Sequence, residues 1–194
     1  TLEQVPGGYP DAERRARAIA EARGRPYVHA YDDAEVIAGQ GTALLELVQD
    51  APEVRTIVVS IGGGGLASGA VLAADGRRVV GVEPFGIPTM HSALRDGGPV
   101  ELQQIASVAA DSLGAGRVSP LTYALCSAGL DRVELVDDEA LQAAQQWLWH
   151  HTRLIVELGA AAGLAAVAAG RLDEDPGPIG LLLCGANTDP GSVA

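Results

Sequence analysis

Short apolar runs alternate with alanine-rich amphipathic stretches along this chain. Residues 56–60 (TIVVS) are almost unbroken β-branched, the pattern of a parallel strand covered on both faces. Leu66 to Ala74 reads as a helix and Arg78 to Val82 as a strand ending at Glu83, so the unit is βαβ with a glycine loop inside it. Upstream, DAERRARAIAEARG predicts a surface helix with Asp11 as N-cap, a Glu13–Arg17 pair one turn apart and a stop at Gly24. PYVHA (26–30) predicts a strand, and the segment from Gly39 a helix opened by glycines. Downstream, residues 88–97 and LTYALCSAG predict helices, and RVELV (132–136) a strand. DDEALQAAQQWLWHH predicts a helix capped by Asp137 or Asp138 that buries Leu141, Ala144 and Leu148. Residues 158–169 read as one more helix, and IGLLLC (179–184) as the last strand. The alternation predicts a three-layer α/β fold, a mostly parallel sheet with helices on both faces. Ligands of such sheets sit beyond the carboxyl ends of the strands, which singles out the loops after Ser60 and after Leu183.

Composition narrows the chemistry. Of 194 residues, 47% are hydrophobic and 20% charged, a globular balance, while 4% aromatics leave the core to aliphatic side chains. A net charge of -12 repels a phosphate backbone, so nucleic acid is excluded as a partner. Cys126 and Cys184 are too few for a disulfide scaffold and lack zinc-type spacing, which points to a reducing cytoplasm, with each thiol a small buried hydrophobe by default. The run from Leu154 to Gly170 carries Glu157 and falls short of the ~20 residues of a membrane span, so it reads as a core helix. There is no signal peptide and no initiating methionine, and the chain is expected to begin part-way through a longer polypeptide or to be processed. All 13 basic residues are arginine; without a lysine, no Schiff base can form from within this sequence.

Gly62 to Gly65 are four consecutive glycines between the first β-branched run and a helix. Successive backbone amides in such a turn form an anion-binding concavity, strengthened by the positive end of the helix that follows. A tight turn with close helix packing is the plainer alternative. A second alternative is a dinucleotide site: Gly62, Gly64 and Ala67 satisfy G-x-G-x-x-A, and Glu83 ends the next strand where a ribose would need an acid, as in an NAD(P)-dependent oxidoreductase. His150 and His151 are adjacent and face different ways on a helix, which argues against metal ligation, and His29 and His91 read as structural or surface residues.

Taken together, DDAEVIAGQGT (32–42), SIGGGGLASG, GVEP (81–84), the DSLGA stretch (111–115), VELGAA (156–161) and LCGANTDP (183–190) resemble, in order, the pyridoxal-phosphate enzymes of the tryptophan-synthase-β fold, in particular threonine and serine dehydratases. The resemblance implies that Gly62, Gly63, Gly64, Gly65 and the Leu66 amide cradle the phosphate of pyridoxal 5'-phosphate. It implies that Cys184 faces the pyridine nitrogen, that Gly114 makes a backbone contact near the ring, that Glu157 is a carboxylate beside it, and that Asn187 supports the last loop. The activity implied is β-elimination of serine or threonine, a small amino acid, to a 2-oxo acid and ammonia, in a homodimer.

Two departures qualify it. The family's Schiff-base lysine lies in an N-terminal segment absent from this sequence, so the chain alone is expected to be inactive and to need that segment as a partner. Residues 1–25 then correspond to the last strand and helix of a small domain, and 26–194 to the C-terminal part of the large cofactor-binding domain. An incomplete sheet would also expose an edge that favours association. Some relatives hold a divalent cation through the glutamate of the E-P motif and an acid six residues on; Glu83 is kept, but the second position is Thr89, and no metal is expected. A non-catalytic module of the same fold is a further reading.

Overall fold

A computed structural model describes residues 2–193. Eight helices, numbered in chain order, are α1 (Tyr9–Ala22), α2 (Ala34–Asp50), α3 (Gly65–Ala73), α4 (Thr89–Asp96), α5 (Ala110–Leu113), α6 (Pro120–Gly129), α7 (Asp138–Thr152) and α8 (Ala162–Ala168). Four strands are β1 (Thr56–Ser60), β2 (Arg78–Pro84), β3 (Arg132–Val136) and β4 (Ile179–Leu181). They form one parallel sheet in the order β3-β2-β1-β4.

Alternation along β1 divides the core in two. Val58 points to one face, where it joins Val80, Val82, Leu141, Leu148 and the alanines of α8. Ile57 and Val59 point to the other, against Leu44 of α2, Ala67 and Ala70 of α3 and Cys126 of α6. All five β1 residues are buried, as the β-branched run predicts for a strand covered on both sides. The three-layer parallel arrangement is therefore the one expected.

Several elements differ from expectation for identifiable reasons. PYVHA is not a strand: His29 Nδ1 accepts the backbone N–H groups of Tyr31 and Asp32, and the aromatic side chains of this segment gather with Tyr9 instead of lining a sheet. Residues 2–8 carry no strand either, since Pro6 lacks a donor and Gly7 has φ +110°; Thr1 lies outside the described residues. The N-cap of α1 is Gly8, with Asp11 three residues inside and accepting the Gly8 N–H at 3.2 Å; the Glu13–Arg17 pair forms at 2.8 Å. Helix α2 starts at Ala34, capped by the Asp33 carboxylate, so Gly39 and Gly41 lie within it. Gly41 is there for contact: a Cβ on Gly69 of α3 would sit 2.6 Å from its backbone nitrogen, so the two helices cross backbone to backbone. The apolar run from Leu154 turns helical only at residue 159, because Arg153 ends α7 in the left-handed region and a stretch without regular secondary structure follows. IGLLLC pairs only as far as Leu181.

At the amino ends of the strands, Arg78 and Arg132 open β2 and β3 and converge on Asp175. Arg132 also bonds the Arg171 carbonyl, so this cluster ties the loop after α8 to the sheet. No helix is long and apolar enough to cross a membrane among the described residues.

Candidate functional site

Because β1 and β4 are neighbours, the loops leaving their carboxyl ends meet. Ser60 closes β1, Cys184 lies three residues past β4, and their Oγ and Sγ atoms are 3.3 Å apart. Both line a cavity of about 240 Å³ together with Gly62–Leu66, Ala30, Tyr31, Gln40, Ser112, Leu113 and Glu157.

Leu113 and Tyr31 crowd three glycines of the run, and the backbone angle of the fourth favours glycine. A Cβ on Gly62 would lie 3.2 Å from the Leu113 backbone, one on Gly63 2.3 Å from the Tyr31 ring, and one on Gly65 2.9 Å from Tyr31 Cβ. Gly64 is the N-cap of α3 with φ 91° and ψ 0°, a conformation that side-chain-bearing residues rarely adopt. None of the N–H groups from Gly62 to Leu66 meets an acceptor among the described residues; the first helical bond runs from Ser68 N–H to the Gly64 carbonyl at 2.9 Å. Gly64 and Gly65 are buried, where unpaired donors are costly. Five free amides at the positive end of α3 fit a phosphate monoester.

The opposite wall is built by Glu157 and the segment after β4. Glu157 donates its own N–H to the Gly185 carbonyl at 3.1 Å, and its Oε2 accepts the Asn187 N–H at 3.1 Å. Gly185 sits so close that a Cβ there would be 2.4 Å from Glu157 Oε1. The glutamate thus braces the backbone that carries Cys184. Cys184 is exposed, unlike the default for a lone thiol, whereas Cys126 is wholly buried beside Ser68, and burial pushes its thiol up to about 11.

Of the sequence-predicted residues, Gly62, Gly63, Gly64, Gly65, Leu66, Glu157 and Cys184 lie on this cavity, while Gly114 and Asn187 do not. Gly114 follows α5, where a Cβ would meet the Ala110 carbonyl at 2.2 Å; the cavity is lined by the two residues before it, Ser112 and Leu113. Asn187 is exposed and contributes its backbone N–H to Glu157. Tyr31, Gln40 and Ser60 were missed. Ser60 had a signal, as the final residue of a buried strand before the glycines; Tyr31 and Gln40 come from loop and helix positions that no spacing marks.

Glu83 overturns the dinucleotide alternative. Its side chain is fully buried away from the cavity, with Oε1 accepting the Met90 N–H at 2.8 Å and Oε2 the His91 N–H at 3.0 Å in the first turn of α4. Burial pushes its carboxyl up to about 8, against the pull of those amides. A carboxyl so enclosed cannot reach a ribose. No group of three or more His, Cys, Asp or Glu side chains is placed to hold a metal ion among the described residues.

Comparison with known proteins shows the family. The model of the pyridoxal-phosphate dependent enzyme family matches residues 1–185. The chain is 36% identical over 181 residues to phenylserine dehydratase of Ralstonia pickettii, covering 91% of this chain and 55% of that protein. It is 32% identical over 185 residues to L-threonine ammonia-lyase of Thermotoga maritima, covering 93% and 46%. The structure of maize serine racemase superposes with a TM-score of 0.89 at 30% identity, covering 96% of this chain and 59% of that one. The chain thus spans about half to three-fifths of the length of these relatives. The relatives' names divide between elimination and racemization, but the family match over residues 1–185 is common ground, and this chain belongs to the pyridoxal-phosphate-dependent enzyme family.

Proposed function

We propose that this chain forms the phosphate- and ring-binding part of a lyase that converts a β-hydroxy amino acid of the serine or threonine type into a 2-oxo acid and ammonia. The observation that carries the reading is a single cavity bounded by five acceptor-free amides and by the Cys184 sulfur. Bound pyridoxal 5'-phosphate supplies an electron sink for the carbanion that forms at the amino acid's Cα.

The residues of this chain have distinct parts to play. The amides of Gly62 to Leu66 hold the phosphate, and Gly64 sets their direction through its left-handed backbone. Cys184 would face the ring nitrogen. A thiol is a weak donor and, unlike a carboxylate, would not hold that nitrogen protonated, which would suit elimination of a β-hydroxyl. Glu157 holds the Cys184 segment in place through the Gly185 carbonyl and the Asn187 N–H, and Gly114 lets the Ser112–Leu113 wall turn back toward the cavity. The names of the dehydratase and ammonia-lyase relatives support elimination. With no lysine in the sequence, the Schiff-base amine comes from another segment, and the chain alone releases no 2-oxo acid. On this reading residues 1–25 belong to a smaller domain, and the complete enzyme is a cytoplasmic homodimer.

The test is twofold. Pyridoxal 5'-phosphate and NAD are titrated separately into the chain, and the chain is then joined to the lysine-bearing N-terminal segment of a matched relative and supplied with serine or threonine. Retention of pyridoxal 5'-phosphate alone, followed by 2-oxo acid release from the joined protein, is expected. Retention of NAD, or a joined protein that holds the cofactor but releases no 2-oxo acid, refutes the proposal.

A further inference from the structure

We propose that His29 is a positioning residue for the cofactor cavity: fixed as the Nε2–H tautomer, it pins Tyr31 as a wall against the glycine loop. The inference rests on the cofactor reading above and adds to it a residue outside the cavity.

His29 is buried, and its Nδ1 accepts two backbone N–H groups, from Tyr31 at 3.2 Å and Asp32 at 2.9 Å. A ring nitrogen that accepts two donors carries no proton, so the proton is on Nε2, which lies 3.4 Å from Glu13 Oε1 in α1. Glu13 is itself bonded to Arg17 at 2.8 Å, and the Arg17 guanidinium lies 4.4 Å over the Tyr27 ring. Around the imidazole, Tyr31 packs edge-on at 4.6 Å between centroids and Tyr27 at 6.0 Å. One side of α1 is therefore joined to the cavity wall through this imidazole and through the Tyr9 ring, which packs on Tyr31 at 5.9 Å between centroids.

Tyr31 is the part of that wall which bears on the glycine loop. Its ring fills the space a Cβ of Gly63 would occupy, its Cβ abuts Gly65, and its hydroxyl donates to the Arg117 carbonyl at 3.2 Å. Burial pushes its phenol up to about 12, so it remains a neutral donor. Held at the backbone by His29 and at the hydroxyl by Arg117, the ring keeps Gly63 to Gly65 in the shape that presents their amides together. Release of either end lets the ring leave the loop.

Two measurements on the chain test this. A long-range 1H–15N spectrum should show a protonated Nε2 and a bare Nδ1 for His29; a protonated Nδ1 overturns the clamp. Titration with pyridoxal 5'-phosphate then compares the wild type with His29→Phe, which keeps an aromatic ring but has no acceptor, and with His29→Asn, whose Oδ1 takes the place of Nδ1. His29→Phe should weaken binding about tenfold, a loss equivalent to ~1.4 kcal/mol, and His29→Asn should restore it to within about twofold. If the Phe variant does not fold, Tyr31→Phe, which removes only the Arg117 bond, should still weaken binding roughly threefold. Folded variants that bind like the wild type, or Phe and Asn variants weakened alike, overturn the inference. A wild type that binds no pyridoxal 5'-phosphate overturns the cofactor reading itself, and the tautomer then decides the clamp separately.

Discussion

Replacing Asp175 by asparagine should destabilise the protein by about 2–3 kcal/mol at neutral pH while leaving ligand binding intact. The Asp175 side chain is 2% exposed and accepts from Arg78 Nη1 at 3.0 Å and Arg132 Nη1 at 3.1 Å, with Arg132 Nη2 as a third donor. Breaking a fully buried ion pair costs about 3–5 kcal/mol, and an exposed one about 0–1. Here the carboxylate is buried but its partners are 40% and 31% exposed, so water recovers part of the loss and the value falls between those limits. For a chain of this length that is a drop in melting temperature of roughly 5–10 °C. The two arginines hold the carboxyl below its ordinary value, so its stabilisation is complete above the unfolded pKa and disappears as pH falls through the folded one. Urea unfolding of wild type and variant from pH 7 to pH 3 should therefore show a gap that is constant near neutrality and narrows below about pH 4. A gap under about 0.5 kcal/mol at pH 7, or one that persists unchanged at pH 3, refutes the reasoning. Because the cluster is at the amino ends of the strands, pyridoxal 5'-phosphate affinity serves as the control.

Glu83 should show the opposite pH sign: its carboxyl is raised to about 8, so the native state keeps the proton that the unfolded chain has lost, and wild-type stability relative to Glu83→Gln should fall between about pH 4.5 and 8 in urea titrations. Gly69→Ala should destabilise by about 1–3 kcal/mol net in thermal melts, because a Cβ 2.6 Å from the Gly41 nitrogen and 2.9 Å from the Ile37 carbonyl outweighs the ~1 kcal/mol that alanine gains in a helix. Gly64→Ala should cost about 1–2 kcal/mol of stability by forcing a side chain to φ 91°, and should reduce pyridoxal 5'-phosphate binding at least tenfold in equilibrium dialysis. Val58→Ala should cost about 2 kcal/mol in urea unfolding and leave the ligand affinity unchanged, since Val58 is fully buried within the sheet.

Elements whose burial is dictated by their own side chains were legible from the sequence. The β-branched run of β1 and the capped stripe of α7 can be read without knowing their partners, and the glycine run marks the turn from β1 into α3. What escaped depends on residues far away in the chain. PYVHA has strand-like composition, yet its aromatic rings find Tyr9 of α1 and its amides find His29, leaving no ladder to join. Gly39 and Gly41 looked like a helix start until Gly69, nearly thirty residues on, supplied the reason for one of them. Glu83 looked like a ribose acid because its spacing was right; only the position of α4 reveals that both oxygens are already occupied. Tyr31 acquires its place from the shape of a loop that the sequence does not announce.

The adjacency of the first and last strands also has a consequence for assembly. Ser60 and Cys184 are separated by 124 positions, yet they share one wall of the cavity. A nascent chain displays its glycine turn before the opposite wall of the cavity exists, because residues 179–184 must still be synthesised and β4 must dock beside β1. Capture of the vitamin-derived ligand thereby waits for β4, and a product truncated before residue 179 would have the amides but not the Cys184 wall.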